Sequence, residues 1–97
     1  MAEPVFDPLI HAPHRLRICA IAAAAAHVEF GELQERLSLS KSALSKHISQ
    51  LAEHGYLQEE YITRAGRTRL RVSFTDRGRR AYRGHTAALR SIIDADG

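Results

Sequence analysis

The feature that most constrains this sequence is a three-residue break, Ser38–Ser40, between two short segments with helical spacing. Apolar residues recur at helical intervals on both sides: Phe30, Leu33 and Leu37 before the break, and Leu44, Ile48 and Leu51 after it. Ser40 is a good N-cap for the second helix, which we predict over Lys41–His54, and Gly55 stands where a helix end favours a left-handed residue. Two short helices joined in this way form a helix-turn-helix.

The N-terminal part is also predicted to be helical. Asp7 followed by Pro8 is typical of a helix start, and Pro13 limits this first helix to a single turn over residues 8–11. A longer helix follows, from Pro13 to about Ala26. Its apolar residues occupy most of the helix surface, so we expect it to be largely buried or shared with a partner chain. Residues 27–30, HVEF, are a short extended candidate.

Downstream of Gly55 the pattern changes to strands. Residues 56–62, YLQEEYI, and residues 69–74, RLRVSF, are strand candidates, and TRAGRT between them predicts a hairpin tip with Gly66 in the turn. Thr75 caps a last helix, predicted over 76–93. Its apolar face contains Ala81, Tyr82, His85, Ala88, Leu89 and Ile92. The predicted fold is therefore mainly α with a small β-hairpin: a winged helix-turn-helix with a three-helix core, a two-stranded wing and a C-terminal helix.

The positive charge is concentrated in one part of the chain. Residues 63–83 contain eight arginines and one acid, a net charge of +7, whereas residues 1–62 carry −3 and residues 84–97 carry −1. Such a concentration favours a polyanionic partner. A charge run alone is more often a solvated face, so this feature needs support from a second one.

The second feature is the polar side of the predicted helix after the break. Ser42, Lys46 and Ser49 lie opposite its apolar stripe, and Ser45 lies at the edge, while Lys41 stands at the helix N-terminus. Small hydroxyl side chains allow a helix to approach a DNA groove, and lysine supplies charge for phosphates or guanine. Exposed serines alone are usually just solvated. Together with the arginine hairpin they favour DNA binding.

The stretch LSLSKSALSKHISQLAEHGYLQ, followed by TRAGRTRLRVSFTDRGRRAY, resembles the winged helix domains of MarR-type and ArsR-type bacterial transcriptional regulators, and DPLIHAPHRLRI resembles the opening of their small single-domain branch. The resemblance covers about residues 6–93. It implies that Lys41, Ser42, Ser45 and Lys46 contact bases or phosphates, and that Arg64, Arg67 and Arg69 form the wing. The cysteine pair of ArsR metal sensors is absent, so metal sensing of that kind is not implied.

Other chemistry receives little support from the sequence. Ser45 and His47 are two residues apart on a helix and do not face each other, so we expect no enzyme. The six histidines lack zinc-type spacing, and we expect no metal site and no cofactor. His47 and His54 are interpreted as packing or capping residues, and His85 as an interface residue. Cys19 is expected to be a buried apolar residue, with redox sensing a minor alternative.

A length of 97 residues suits one domain, residues 1–97, with helices 8–26 and 76–93 as dimerisation elements. One cysteine and no visible signal peptide indicate the cytoplasm, and the alanine run is too short to span a membrane. We expect a homodimeric repressor of transcription that binds double-stranded DNA. The main alternative is a winged helix that binds an acidic protein partner, and an RNA-binding winged helix comes third. An effector ligand is left open.

Overall fold

The computed structural model describes residues 2–97. Its elements are α1 Pro8–His11, α2 Pro13–Ala23, β1 Val28–Glu29, α3 Phe30–Leu37, α4 Lys41–Glu53, β2 Leu57–Arg64, β3 Arg67–Phe74 and α5 Asp76–Asp96. The predicted winged helix-turn-helix is confirmed, with α3 and α4 as the helix pair and β2–β3 as the wing. Within residues 2–97, no helix combines the length and the apolar content needed to cross a membrane.

The sheet has one strand more than the predicted ribbon. Its order is β1-β3-β2, and both pairings are antiparallel. The wing register runs from Leu57 opposite Phe74 to Arg64 opposite Arg67. Strand β1 joins because Val28 pairs with Val72 and both side chains are buried, which fixes the extended HVEF segment to the core.

The core lies between the sheet and helices α2, α3 and α4. The apolar stripes predicted around the helix-turn-helix are buried as expected, and Phe30 is half-buried beside them. The core consists mainly of Ile10, Ile18, Cys19, Ala22, Val28, Leu33, Leu37, Leu44, Ile48, Leu51, Leu57 and Val72. Helix α4 is thus anchored on one side by three fully or almost fully buried residues, and its other side is left to solvent.

Helix α2 is shorter than predicted, because it ends at Ala23 rather than near Ala26. The N–H groups of Ala24 and Ala25 bond three residues back, to Ile21 and Ala22, which tightens the last turn and ends the helix. The chain must then turn so that Val28 can reach the sheet. The expectation that α2 is buried on most of its surface is also wrong, since Ala20, Ala24 and Ala26 are exposed.

Helix α5 begins at a tight junction with the end of α4. Thr75 caps it as predicted: its Oγ1 accepts from the N–H of Gly78 at 2.9 Å and donates to the backbone carbonyls of Gly55 and Tyr56. Gly55 has the left-handed φ of 81° that was expected. Helix α5 continues to Asp96, beyond the predicted end at residue 93, and its last turns leave the core, so Ile92 is 50% exposed.

The N-terminal segment crosses α5 and covers part of its apolar face. The N–H of Val5 donates to the carbonyl of Gly84 at 3.0 Å, and His85 is completely buried beneath the segment. The interpretation of His85 as a residue between two chains is therefore wrong, because residues 5–11 of the same chain cover it. Asp7 is the predicted N-cap of α1, and its Oδ1 accepts from Leu9 and Ile10.

Candidate nucleic-acid interface

The turn between α3 and α4 orients the second helix of the pair. Ser38 ends α3 in the left-handed conformation, with φ of 54°. Leu39 is half-buried against the core, and Ser40 Oγ accepts from the N–H of Ala43 at 3.1 Å, as predicted for an N-cap. Helix α4 therefore has a fixed start and a fixed roll about its axis.

The predicted DNA-binding residues of α4 share one exposed surface. We call this surface the α4 outer face; it consists of Lys41, Ser42, Ser45, Lys46 and Ser49, all of which are exposed. Because the opposite stripe of α4 is buried, these five side chains project together away from the body of the protein. His54, predicted as the last residue of α4, is its C-cap, is exposed and lies close to the ring of Tyr56.

One flank of α4 is held by Arg15 of α2. Its NH1 donates to Gln50 Oε1 at 2.9 Å and lies 3.2 Å from His47 Nδ1, and its Nε donates to the carbonyl of Leu9. Burial and then the guanidinium of Arg15 lower the pKa of His47, which favours the neutral imidazole that can accept this bond. His47 is therefore a packing residue, as expected, and Arg15 connects α1, α2 and α4.

The tip of the wing is a two-residue turn that presents Arg67. Ala65 and Gly66 have φ angles of 52° and 75°, a pair of left-handed residues of the kind found in tight hairpin turns. Arg67 follows directly and is exposed, opposite Arg64 in the strand register. Two guanidinium groups thus stand at the tip.

The arginines of the wing do not have equal environments. Arg64 is paired with Glu29 of β1 at 2.8 Å, and Arg71 is paired with Glu60 of β2. Arg67 is exposed at the tip, and Arg69 is half-buried, with an Nε that has no hydrogen-bond partner among residues 2–97. The sequence-based prediction treated Arg64, Arg67 and Arg69 alike, whereas the structure joins Arg64 to a carboxylate of the same chain.

A cleft of about 370 Å³ separates the start of α4 from the wing. Lys41 and Ser45 line it from α4, and Thr68 and Arg69 line it from β3. The structure thus brings predicted residues of the helix and of the wing to the two sides of one cleft. Lys46, Ser49 and Arg67 lie outside its lining.

Three contributors to this region were missed by the sequence analysis. Arg15 positions α4, Glu29 binds Arg64, and Tyr61 of β2 lines the cleft with 70% of its surface exposed. Tyr61 was detectable as an aromatic residue within a polar strand. The two ionic contacts join residues 35 positions apart, and periodicity carries no information on such pairs.

The alternatives to DNA binding can be compared with the same geometry. Cys19 is fully buried, and burial, followed by the charge of Asp7, raises the pKa of its thiol to about 12. A thiol in such a site is inert, which argues against redox sensing. Among residues 2–97, no three His, Cys, Asp or Glu side chains are grouped so that they could hold a metal ion.

Comparison with known proteins gives relatives of the same architecture. An uncharacterized protein of Methanocaldococcus jannaschii is 28% identical over 71 residues, which cover 73% of this chain and 77% of that protein. A transcriptional regulator homologue protein from Pyrococcus horikoshii has a similar structure, with a TM-score of 0.84 and 26% identity over 90% of this chain and 86% of that one.

A MarR variant from E. coli, solved with operator DNA, shares the fold at a TM-score of 0.60 and 21% identity, over 77% of this chain and 53% of that one. A family model described as a winged helix DNA-binding domain matches residues 14–93. This match includes α2 to β3, the α4 outer face and most of α5. The chain therefore belongs to the family of winged helix DNA-binding domains.

Proposed function

We propose that this chain is a cytoplasmic transcriptional repressor that binds specific sites in double-stranded DNA as a homodimer. The observation that supports this best is the α4 outer face, an exposed set of serines and lysines on a helix whose opposite stripe is anchored in the core. A helix of this kind fits the major groove, and the wing then lies over the flanking backbone.

Each predicted site residue has a role in this proposal. Ser45, Lys46 and Ser49 read base edges, while Lys41 and Ser42 hold a phosphate near the N-terminus of α4, where backbone N–H groups also attract anions. Arg67 reaches the backbone or a narrow minor groove from the wing tip. Arg69 supports it from the base of the wing. Arg64 contributes less, because Glu29 already neutralises its charge.

Repression and sequence preference are supported by the relatives. The Pyrococcus protein is described as a transcriptional regulator homologue, and the MarR variant was solved with operator DNA. A dimer is supported by the end of α5, where Ile92 and Ile93 are 50% and 65% exposed. In this proposal residues 1–97 act as one DNA-binding domain, and the dimer is formed by the terminal helices, mainly by this end of α5.

DNA binding is tested by titrating the wild-type chain against genomic fragments at several salt concentrations. A dimer that neutralises about six phosphates should give a log–log salt slope near −5. A slope near zero would overturn the proposal. Retention on an acidic protein surface without binding to duplex DNA would favour the alternative, a winged helix for an acidic protein partner.

Dimerisation is tested by light scattering at micromolar concentration. The wild-type chain should be a dimer, and Ile93→Glu should be a monomer, because a charge replaces an apolar residue in the proposed interface. Ser91→Glu is the matched control, since it adds the same charge at another exposed position of the same turn. A monomeric wild-type chain would overturn the dimer.

A further inference from the structure

The cleft between α4 and the wing has both polar and apolar walls. Lys41 and Ser45 line it from α4, and Tyr61 and Thr68 line it from the two strands of the wing. Phe30 and Leu70 add apolar surface to the same lining. A molecule that fills this cleft would therefore present an anionic or hydrogen-bonding side and an apolar side.

The charge of the cleft is positive. Lys41 and Arg69 are its two cations, and Glu29 is its one acid. The carboxylate of Glu29 is bound by Arg64 through contacts of 2.8 and 2.9 Å, so its charge is neutralised from outside the lining. The two cations of the cleft are left to attract an anion.

Tyr61 is the residue that gives the cleft its mixed character. It stands directly opposite Leu70 in the β2–β3 register, so the two side chains lie on the same face of the wing. Leu70 is half-buried, but Tyr61 remains 70% exposed. An exposed tyrosine alone is ordinary, whereas one that lines a cationic cleft offers an apolar ring and a hydroxyl to the same ligand.

We propose that this cleft holds one phosphodiester of the DNA backbone, an inference that rests on the proposed function. The hydroxyl of Tyr61 and the ammonium of Lys41 donate to the phosphate oxygens, and the ring of Tyr61 packs against the adjacent deoxyribose. Tyrosine hydroxyls, lysines and helix N-termini are all common phosphate donors. One backbone strand would thus be held between α4 and the wing, which fixes how α4 sits in the groove.

The test uses a duplex selected from a random pool by the wild-type chain, with each phosphate replaced in turn by an uncharged methylphosphonate. In the wild type, one position should weaken binding by about tenfold, because it loses its charge and an acceptor oxygen. Tyr61→Phe should weaken binding to the unmodified duplex by about fivefold, the loss expected from one hydrogen bond. At that single position, Tyr61→Phe should cause no further loss, and Lys41→Gln should show reduced loss at the same position.

Gln58→Ala is the matched control, since Gln58 is exposed on β2 but lies three residues from Tyr61, on the opposite face of the wing. It should reproduce the wild-type profile. If Tyr61→Phe weakens every modified duplex by the same factor, or not at all, the cleft does not hold a phosphate and the inference is wrong. If the wild type selects no duplex and shows no salt-dependent binding, the proposed function fails and this inference fails with it.

Discussion

The backbone N–H of Asp7 donates a hydrogen bond of 3.0 Å to Nδ1 of His85, across 78 residues of sequence. Nδ1 must therefore be unprotonated, so the imidazole is neutral and carries its proton on Nε2. Nε2 lies 3.3 Å from Nδ1 of His11, which accepts that proton's hydrogen bond. The carboxylate of Asp7 also faces this cluster and accepts from the hydroxyl of Tyr56 at 2.6 Å. The N-terminal segment, α5 and the end of α4 thus meet at one buried polar cluster.

The first prediction is that acid destabilises the fold through His85. Burial, and then His11, lower the pKa of His85 from its ordinary value of 6.5, against a smaller opposing effect of Asp7. The unfolded chain therefore binds this proton more readily, so the stabilisation is complete above pH 6.5 and is lost as pH falls through the lower folded pKa. Urea unfolding between pH 8 and pH 5 measures it.

His85→Asn should be less stable than the wild type at pH 8, and its free energy of unfolding should vary less with pH. His27→Asn is the control, because His27 is exposed, and it should keep the wild-type pH dependence. Equal pH dependence in His85→Asn and the wild type would refute the assignment of the acid sensitivity to His85.

The second prediction concerns Asp7, which has two separate roles. Its Oδ1 caps α1, and its Oδ2 binds Tyr56, which together with burial raises the pKa of Tyr56 to about 12. Asp7→Ala should lose both roles and about 2–3 kcal/mol of stability, whereas Asp7→Asn should keep most of the cap and lose about 1 kcal/mol. Denaturant unfolding at pH 7.5 measures both. A cost for Asp7→Ala below about 0.5 kcal/mol would contradict this account.

The third prediction is that Gly78→Ala destabilises the chain, although alanine usually stabilises a helix relative to glycine. A Cβ at Gly78 would overlap the backbone carbonyl of Tyr56, which cannot move without disturbing the junction of α4 and β2. The expected cost is about 3 kcal/mol. Gly31→Ala is the control, because a Cβ there meets no atom within 4 Å, and it should be neutral or stabilising. Thermal unfolding of both variants decides; a stable Gly78→Ala would show that the junction is looser than the structure indicates.

The sequence predicted those parts of the fold that depend on local pattern. The caps at Asp7, Ser40 and Thr75, the left-handed glycines 55 and 66 and the apolar stripes of α3 and α4 all follow from short-range chemistry, and all are confirmed. The end of α2 was not predictable, because an alanine run favours continuation of the helix. It ends where the chain must turn to bring Val28 beside Val72, a contact that is distant in sequence.

The same limit applies to the candidate site. The α4 outer face follows from helical spacing alone, so its residues could be grouped before the structure was known. The unequal arginines of the wing could not, because the partners of Arg64 and Arg71 are set by the sheet register. His85 was assigned to an interface since a histidine on an apolar face looks unpartnered in sequence, whereas its partners come from the N-terminal segment.

The fourth prediction separates the roles of α4 and the wing. Lys46 is exposed on the α4 outer face and should read a base, so Lys46→Ala should cost specific binding about 1–3 kcal/mol and affect random DNA less. Arg67 stands at the wing tip and should hold phosphate, so Arg67→Ala should weaken both kinds of DNA by similar factors and reduce the salt slope by about one. The double mutant should be nearly additive, because helix and tip are separate contacts.

The most direct test of the central claim, that α4 reads the DNA sequence, is the ratio of affinities for a selected duplex and its scrambled version at three salt concentrations. The account predicts that this ratio falls by about tenfold or more in Lys46→Ala and stays near the wild-type value in Arg67→Ala. If Arg67→Ala abolished the preference for the selected duplex while Lys46→Ala left it unchanged, the wing would read the sequence and the role assigned to α4 would be wrong.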